Sequence, residues 1–154
     1  MFGELRFEKR RLDDEKSVEI LKNGEYGVLS TCGVDGQPYG VPLNYAYEDG
    51  KIYIHCAPLG RKPDNIAANA RVCFTVIGRA QVLAQQLTSA YESVIAQGTA
   101  SIVGDEEKKH ALRLIVERLS PQYLEEGLAC VEKNGGHTTV IRIDILGLCG
   151  KHGH

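Results

Sequence analysis

The stretch IYIHCAPLGRKPDNI, residues 52 to 66, decides how this chain is read. Ile52, Tyr53 and Ile54 are the β-branched and aromatic types that suit a pleated, half-buried strand. His55 and Cys56 close the strand, and Pro58 and Gly60 then break the regular backbone. Arg61 and Lys62 follow at once. Pro63 is suited to a first helical position, and it opens the helix-like run DNIAANA. The order is therefore strand, polar pair, glycine turn, two cations, helix start. A turn with free N–H groups, two positive side chains and a helix N-terminus together can hold a phosphate. An Arg-Lys pair in a turn also reads as ordinary solvated charge, and on these residues alone the two readings stand side by side.

Working outward, YGVLST (26–31) is a strand and Asp35-Gly36 is a hairpin signal. PYGVPLNYAY (38–47) is the return strand, and Pro42 within it calls for a sheet edge or a bulge. Glu48-Asp49-Gly50 turns the chain into the strand Lys51 to Cys56. Three strands joined by two tight turns predict an antiparallel meander. Arg71 to Ile77 and Tyr91 to Gly104 are two further strands, the second bent at Gly98. Between them, Gly78 to Ala90 reads either as helix or as a continuing hairpin. Ser17 to Asn23 is a short helix stopped by Gly24. In Asp105 to Leu119, Ala111, Leu112, Ile115, Val116 and Leu119 recur at helical spacing behind a cap at Gly104 or Asp105. Pro121 to Lys133 is a second helix. His137 to Leu146 is a final strand, with Val140 and Ile143 alternating against Arg142 and Asp144.

These elements give a mainly β fold: six or seven antiparallel strands forming a barrel or sandwich, with flanking helices. The chain of 154 residues reads as a single domain with an N-terminal arm over 1–16 and a C-terminal tail over 147–154. Its apolar fraction of 43% and charged fraction of 25% are those of an ordinary globular protein. The net charge of −2 and the lack of a basic face argue against nucleic acid as a partner. No apolar run approaches the length of a membrane span, and the first residues lack the apolar core of a signal peptide. Five cysteines without a CxxC spacing read as reduced thiols in a cytoplasmic protein. No zinc-ligand spacing occurs, so no metal site is expected.

The ordered set GEYGVLST, DGQPYGVPLNYAYEDGKIYIHCAPLGRKPDNI, ARVCFTV and SVIAQGTASIV resembles the FMN-binding split-barrel proteins related to pyridoxamine 5′-phosphate oxidase. Within them it is most similar to the nitroimidazole-resistance type. The resemblance implies a split barrel acting as a homodimer, with FMN at the subunit interface and a small molecule as substrate. It implies that Val41, Pro42, Leu43 and Asn44 border the isoalloxazine ring. His55, Cys56, Ala57 and Gly60 would line the ribityl and phosphate side. Arg61 and Lys62 would hold the phosphate, the arginine by a fork of N–H donors and the lysine as a point charge. Tyr91 and Ser93 would contribute from the long later strand. The Arg-rich set of true pyridoxamine-phosphate oxidases is missing, which speaks against pyridoxal phosphate chemistry, and there is no Trp to stack on a flavin.

His55 is the candidate catalytic residue, although a flavin carries its own redox chemistry and a hydrogen bond to the cofactor is the blander role. Cys56 reads as a small hydrophobe rather than a nucleophile. Asn65 either touches the cofactor or serves the helix start. The expected function is a flavin-dependent oxidoreductase, with nitroaromatic molecules among the candidate substrates and FAD left open beside FMN. The alternative is a flavin or haem carrier without turnover, in which His55 would be an axial ligand. A dimeric module that has lost its cofactor ranks behind both.

Overall fold

The computed structural model describes residue 6 and residues 8–153. In chain order the elements are β1 (Arg11–Leu12), α1 (Asp14–Asn23), β2 (Tyr26–Cys32), β3 (Pro38–Asn44), β4 (Ala46–Glu48), β5 (Lys51–Cys56), α2 (Arg61–Ala68), β6 (Arg71–Leu83), β7 (Thr88–Ile102), α3 (Asp105–Leu119), α4 (Leu124–Asn134) and β8 (Thr139–Gly153). The strands form one antiparallel sheet in the order β3-β2-β6-β7-β8-β5-β4, with β1 paired to β8. The expected meander is split. β3 pairs with β2 while β4 pairs with β5, and these two pairs lie at opposite ends of the strand order. Only Tyr45 separates β3 from β4. The sheet must therefore curl until its two edges meet at that residue, which gives a barrel left unclosed between β3 and β4. Pro42 falls on edge strand β3, where a missing N–H costs no ladder bond.

Tyr45 holds that junction. Its buried phenol donates to the Leu21 carbonyl at 2.7 Å, and its ring meets Phe74 edge-on at 4.9 Å. The barrel interior is filled from alternate positions of each strand: Leu29, Ile52, Ile54, Phe74, Val76, Val94, Ile141 and Ile143. α1 supplies Ile20 and Leu21 to the same core. A second, smaller cluster lies outside the barrel, where α3 places Ala111 and Leu112 against Tyr53 and Val140. Val140 and Ile143 thus face opposite sides of β8, contrary to the expected alternation. Ile141 and Ile143 point into the barrel, while Val140 points out beneath α3. On that outer side Arg142 bonds Glu107 at 3.0 Å and Asp144 at 3.0 Å, and Tyr53 donates to Glu107 at 3.0 Å.

Several boundaries differ from the sequence reading. α1 starts at Asp14 because Asp13 caps it, accepting from the Lys16 N–H at 2.7 Å, so the N-terminal arm is shorter than 1–16. Residues 147–153 are not a tail: they continue β8 and pair with β7 and β1, and Cys149 is buried there. His154 lies outside the described residues. Gly78 to Ala90 is the continuing hairpin, with a bulge between Ile77 and Arg79 and a short 3-10 turn at Ala84–Gln86. The expected bend at Gly98 is a bulge against β8, where a Cβ would collide with the Asp144 carbonyl oxygen. His110 on α3 is exposed and contacts Glu48 of β4 at 2.6 Å.

Candidate functional site

Along β6, Arg71 lies beside α2 and Gly78 lies beside Ile20 of α1. The two helices therefore sit at opposite ends of the barrel. The α2 end gathers the last residues of β2 and β5 and the first of β3 and β6. There the chain leaves β5 and makes its turn at Gly60, whose φ of 134° is open only to glycine. Nothing lies within 4 Å of where a Gly60 Cβ would be, so the backbone angle rather than crowding demands glycine. Gly60 caps α2 without a side chain, and its carbonyl receives the Asp64 N–H at 3.2 Å.

α2 begins at Arg61, earlier than expected, so that both cations lie in its first turn and Pro63 is third. Proline is tolerated there because a first-turn N–H has no intrahelical acceptor. The amides of Arg61 and Lys62 are free for the same reason, and the helix dipole adds positive potential at that point. Among the described residues neither cation forms an ion pair, whereas Arg11, Lys16, Lys108, Lys109, Arg113 and Arg142 all do. The Arg61 guanidinium instead lies over the Tyr39 ring, 5.1 Å from its centroid. The Lys62 ammonium is close enough to act on Cys56. Burial pushes the Cys56 thiol up and Lys62 pulls it partly back, leaving a protonated thiol at neutral pH.

The other expected residues divide by face. Val41 and Leu43 pack onto the barrel core, while Pro42 is exposed on the outer face of β3. Asn44, on the outer face too, donates to the Glu25 carbonyl at 2.9 Å, far from α2 along the strand. At ~3.3 Å per residue, Val41 to Asn44 lie about 7 to 17 Å from Tyr39. A phosphate-tailed ring system could thus stretch along β3 from α2. Among the described residues β3 has a ladder only with β2, which leaves its other edge to backbone groups that such a ring could meet. His55 and Ala57 are exposed at the end of β5. Asn65 is buried, and its amide donates to Thr31 Oγ1 at 2.9 Å, which seats α2 on β2.

Tyr91 and Ser93 are half-buried on the outer face of β7, where Tyr91 lies 5.9 Å from Lys151 Nζ. Arg71, beside α2, pairs with Thr99. Ser93 is therefore about 20 Å along β7 from that end, and one chain does not bring it to Arg61. The outer face that carries Tyr91 and Ser93 also exposes Tyr26, Val28, Ile77 and Ile95. Register places Val28, Thr75 and Ile95 in one row across three strands. A groove of about 690 Å³ crosses the same face, lined by Ser30, Cys32, Arg71, Cys73, Gln97 and Leu146 among others. It includes neither Arg61 nor Lys62.

Sequence reasoning missed Thr31 and Tyr39. Tyr39 shares one strand face with residues 41 and 43, but only tertiary packing brings it to Arg61. Thr31 carries no sequence signal beyond its place at a strand end.

The architecture is that of a split barrel with a cation-lined turn at one end. The chain belongs to the pyridoxamine 5′-phosphate oxidase family, whose model matches residues 13–152. A 66-residue part is 36% identical to the 5a,11a-dehydrotetracycline/5a,11a-dehydrooxytetracycline reductase of Streptomyces rimosus. That match spans 40% of this chain and about half, 46%, of the relative. Among solved structures, a candidate 5-nitroimidazole antibiotic resistance protein of Bacteroides thetaiotaomicron superposes with a TM-score of 0.74. It is 23% identical and covers 92% of this chain and 86% of its own. An FAD and haem binding protein of Mycobacterium smegmatis superposes with a TM-score of 0.82 at 18% identity, over 94% of this chain and 74% of its own. These likenesses fix the mainly β split-barrel fold.

Proposed function

We propose that the protein is an FMN-binding oxidoreductase acting on a small molecule, with nitroaromatic compounds the first class to test. The observation that carries the reading is the pair of unpaired cations, Arg61 and Lys62, on the free N-terminus of α2 behind Gly60. A phosphomonoester suits that set: free amides, one forked donor and one point charge. The free edge of β3 suits the polar rim of a ring. A bound flavin supplies electron transfer. The chain's own residues bind the phosphate and orient the ring along β3. His55, exposed and without a hydrogen-bond partner among the described residues, is free to offer a proton or a hydrogen bond at the end of β5.

The working unit in this reading is a homodimer in the cytoplasm. β2, β6 and β7 expose Tyr26, Val28, Ile77 and Ile95 on one outer face, which adjoins the outer side of β3 and offers apolar surface to a second copy. A second copy on that face brings its own Tyr91 and Ser93 towards the first copy's β3. Among the described residues no helix is long and apolar enough to cross a membrane.

Replacing Arg61 and Lys62 together by alanine is expected to weaken FMN binding about a hundredfold or more, since two charge-assisted contacts are lost. Unchanged affinity would sink the phosphate assignment. The solvent-exposed His55 supports a second reading, a flavin or haem carrier. A Soret band that is lost in His55→Ala would favour it, and so would a bound flavin that never accepts electrons from NAD(P)H.

A further inference from the structure

We propose that Tyr39 is a positioning residue for the phosphate end of this site, holding the Arg61 guanidinium so that the chain prefers a phosphorylated flavin to an unphosphorylated one. The inference rests on the phosphate reading above and extends it to a residue outside the turn. Arginine is a long side chain, and in a first helical turn open to solvent it would sample many rotamers. Here its cation lies 5.1 Å from the centroid of the Tyr39 ring, within cation–π range. The ring presents no oxygen acceptor to the N–H donors, so it can hold the group and leave donors of the fork for a phosphate. No carboxylate competes for those donors among the described residues, as Arg61 makes no ion pair or side-chain hydrogen bond there.

Both partners are tied to the same anchor. The Tyr39 carbonyl receives the Thr31 hydroxyl at 3.5 Å, a long contact, and Thr31 Oγ1 receives the Asn65 amide at 2.9 Å. Thr31 and Asn65 are buried, so the bond from α2 to β2 is shielded from water, while the contact on to Tyr39 is partly buried. The ring and the helix that carries Arg61 are thus registered to each other through backbone and side chain. Tyr39 is also two residues before Val41 on one face of β3, so one strand serves both the arginine and the expected ring-binding segment.

The test is a fluorescence titration of flavin-free protein with FMN and, separately, with riboflavin. It compares wild type, Tyr39→Leu, Tyr39→Phe, Arg61→Ala and the Tyr39→Leu/Arg61→Ala double variant, with a thermal midpoint for each. Tyr39→Leu is expected to weaken FMN about two- to thirtyfold while moving riboflavin by less than about twofold. Tyr39→Phe should restore the wild-type preference, and Tyr39→Leu should cost nothing further once Arg61 is alanine. Tyr39→Thr, compatible with a strand, takes the place of Tyr39→Leu if the latter does not fold. Full FMN affinity in Tyr39→Leu beside a clear loss in Arg61→Ala would overturn the role of Tyr39 and leave the phosphate site standing. Equal losses for FMN and riboflavin would overturn it in favour of a purely structural part. Undiminished FMN binding in Arg61→Ala, with no preference for FMN in the wild type, would remove the phosphate site and this inference with it.

Discussion

Asn65→Ala tests whether α2 is seated on β2 as the structure shows. The variant removes the donor to Thr31 Oγ1, a hydroxyl in a residue 4% exposed. Water cannot easily replace that donor, and the remaining contact of Thr31, to the Tyr39 carbonyl, is long at 3.5 Å. A buried polar group left short of a partner costs about 1–3 kcal/mol. For a chain of this size that corresponds to a fall in thermal midpoint of about 3–10 °C. Thr31→Val should cost a similar amount, since it strands the Asn65 amide instead. Because one bond is lost in either case, the double variant should cost less than the sum, with a coupling of about 0.5–3 kcal/mol. Urea unfolding followed by circular dichroism gives all four free energies. FMN affinity should fall in step, as Arg61 and Lys62 ride on α2. Asn65→Ala within about 0.5 kcal/mol of wild type, or strictly additive losses, would refute the reasoning.

Four other expectations follow from particular residues. Gly98→Ala forces a methyl group into the Asp144 carbonyl, so urea unfolding should show a loss of more than about 2 kcal/mol; a near-neutral variant would mean that the bulge yields. Burial alone would push the Glu107 carboxyl up, but hydrogen bonds from Arg142 and Tyr53 overcome it and hold the group below its usual value of 4.5. Its stabilisation is therefore present above about pH 4.5 and lost as pH falls through the lowered value, and an acid titration of Glu107→Gln should lack that loss. Burial first, and then the bond to Glu107, push the Tyr53 phenol up to about 12, so the stability it adds is complete below pH 10 and drains away towards pH 12. Tyr53→Phe should be flat across that window. A paired Val28→Glu/Ile77→Glu variant should elute as a monomer in size-exclusion chromatography with light scattering and should bind flavin poorly; a dimer of unchanged size would rule out the outer face as the interface.

Local chemistry made most of the fold legible. β5 and α3 have the expected limits, since β-branched runs and helical spacing are unambiguous when a glycine or proline bounds them. Pro42 called for an edge or a bulge, but that it lies on an edge, and the parting of β3 from β4 at Tyr45, depended on pairing across the whole sheet. The extension of β8 through Lys151 and His152 was hidden for a similar reason. Those residues lack strand propensity, and the ladders to β7 and β1 impose the conformation. At the site, Gly60, Arg61 and Lys62 could be read from sequence because they are consecutive. Tyr39 and Thr31 could not be joined to them, since only tertiary packing brings the strand ends to α2. Asn65 was seen, but its burial and its bond to Thr31 are likewise products of packing.

The most direct measurement is a visible absorption spectrum of wild-type protein and of the Arg61→Ala/Lys62→Ala variant, each incubated with FMN and then desalted. The wild type should keep the flavin bands and the variant should emerge without them. A wild type that desalts colourless, or a variant that keeps as much flavin as the wild type, would contradict the phosphate-anchored flavin site at the head of α2.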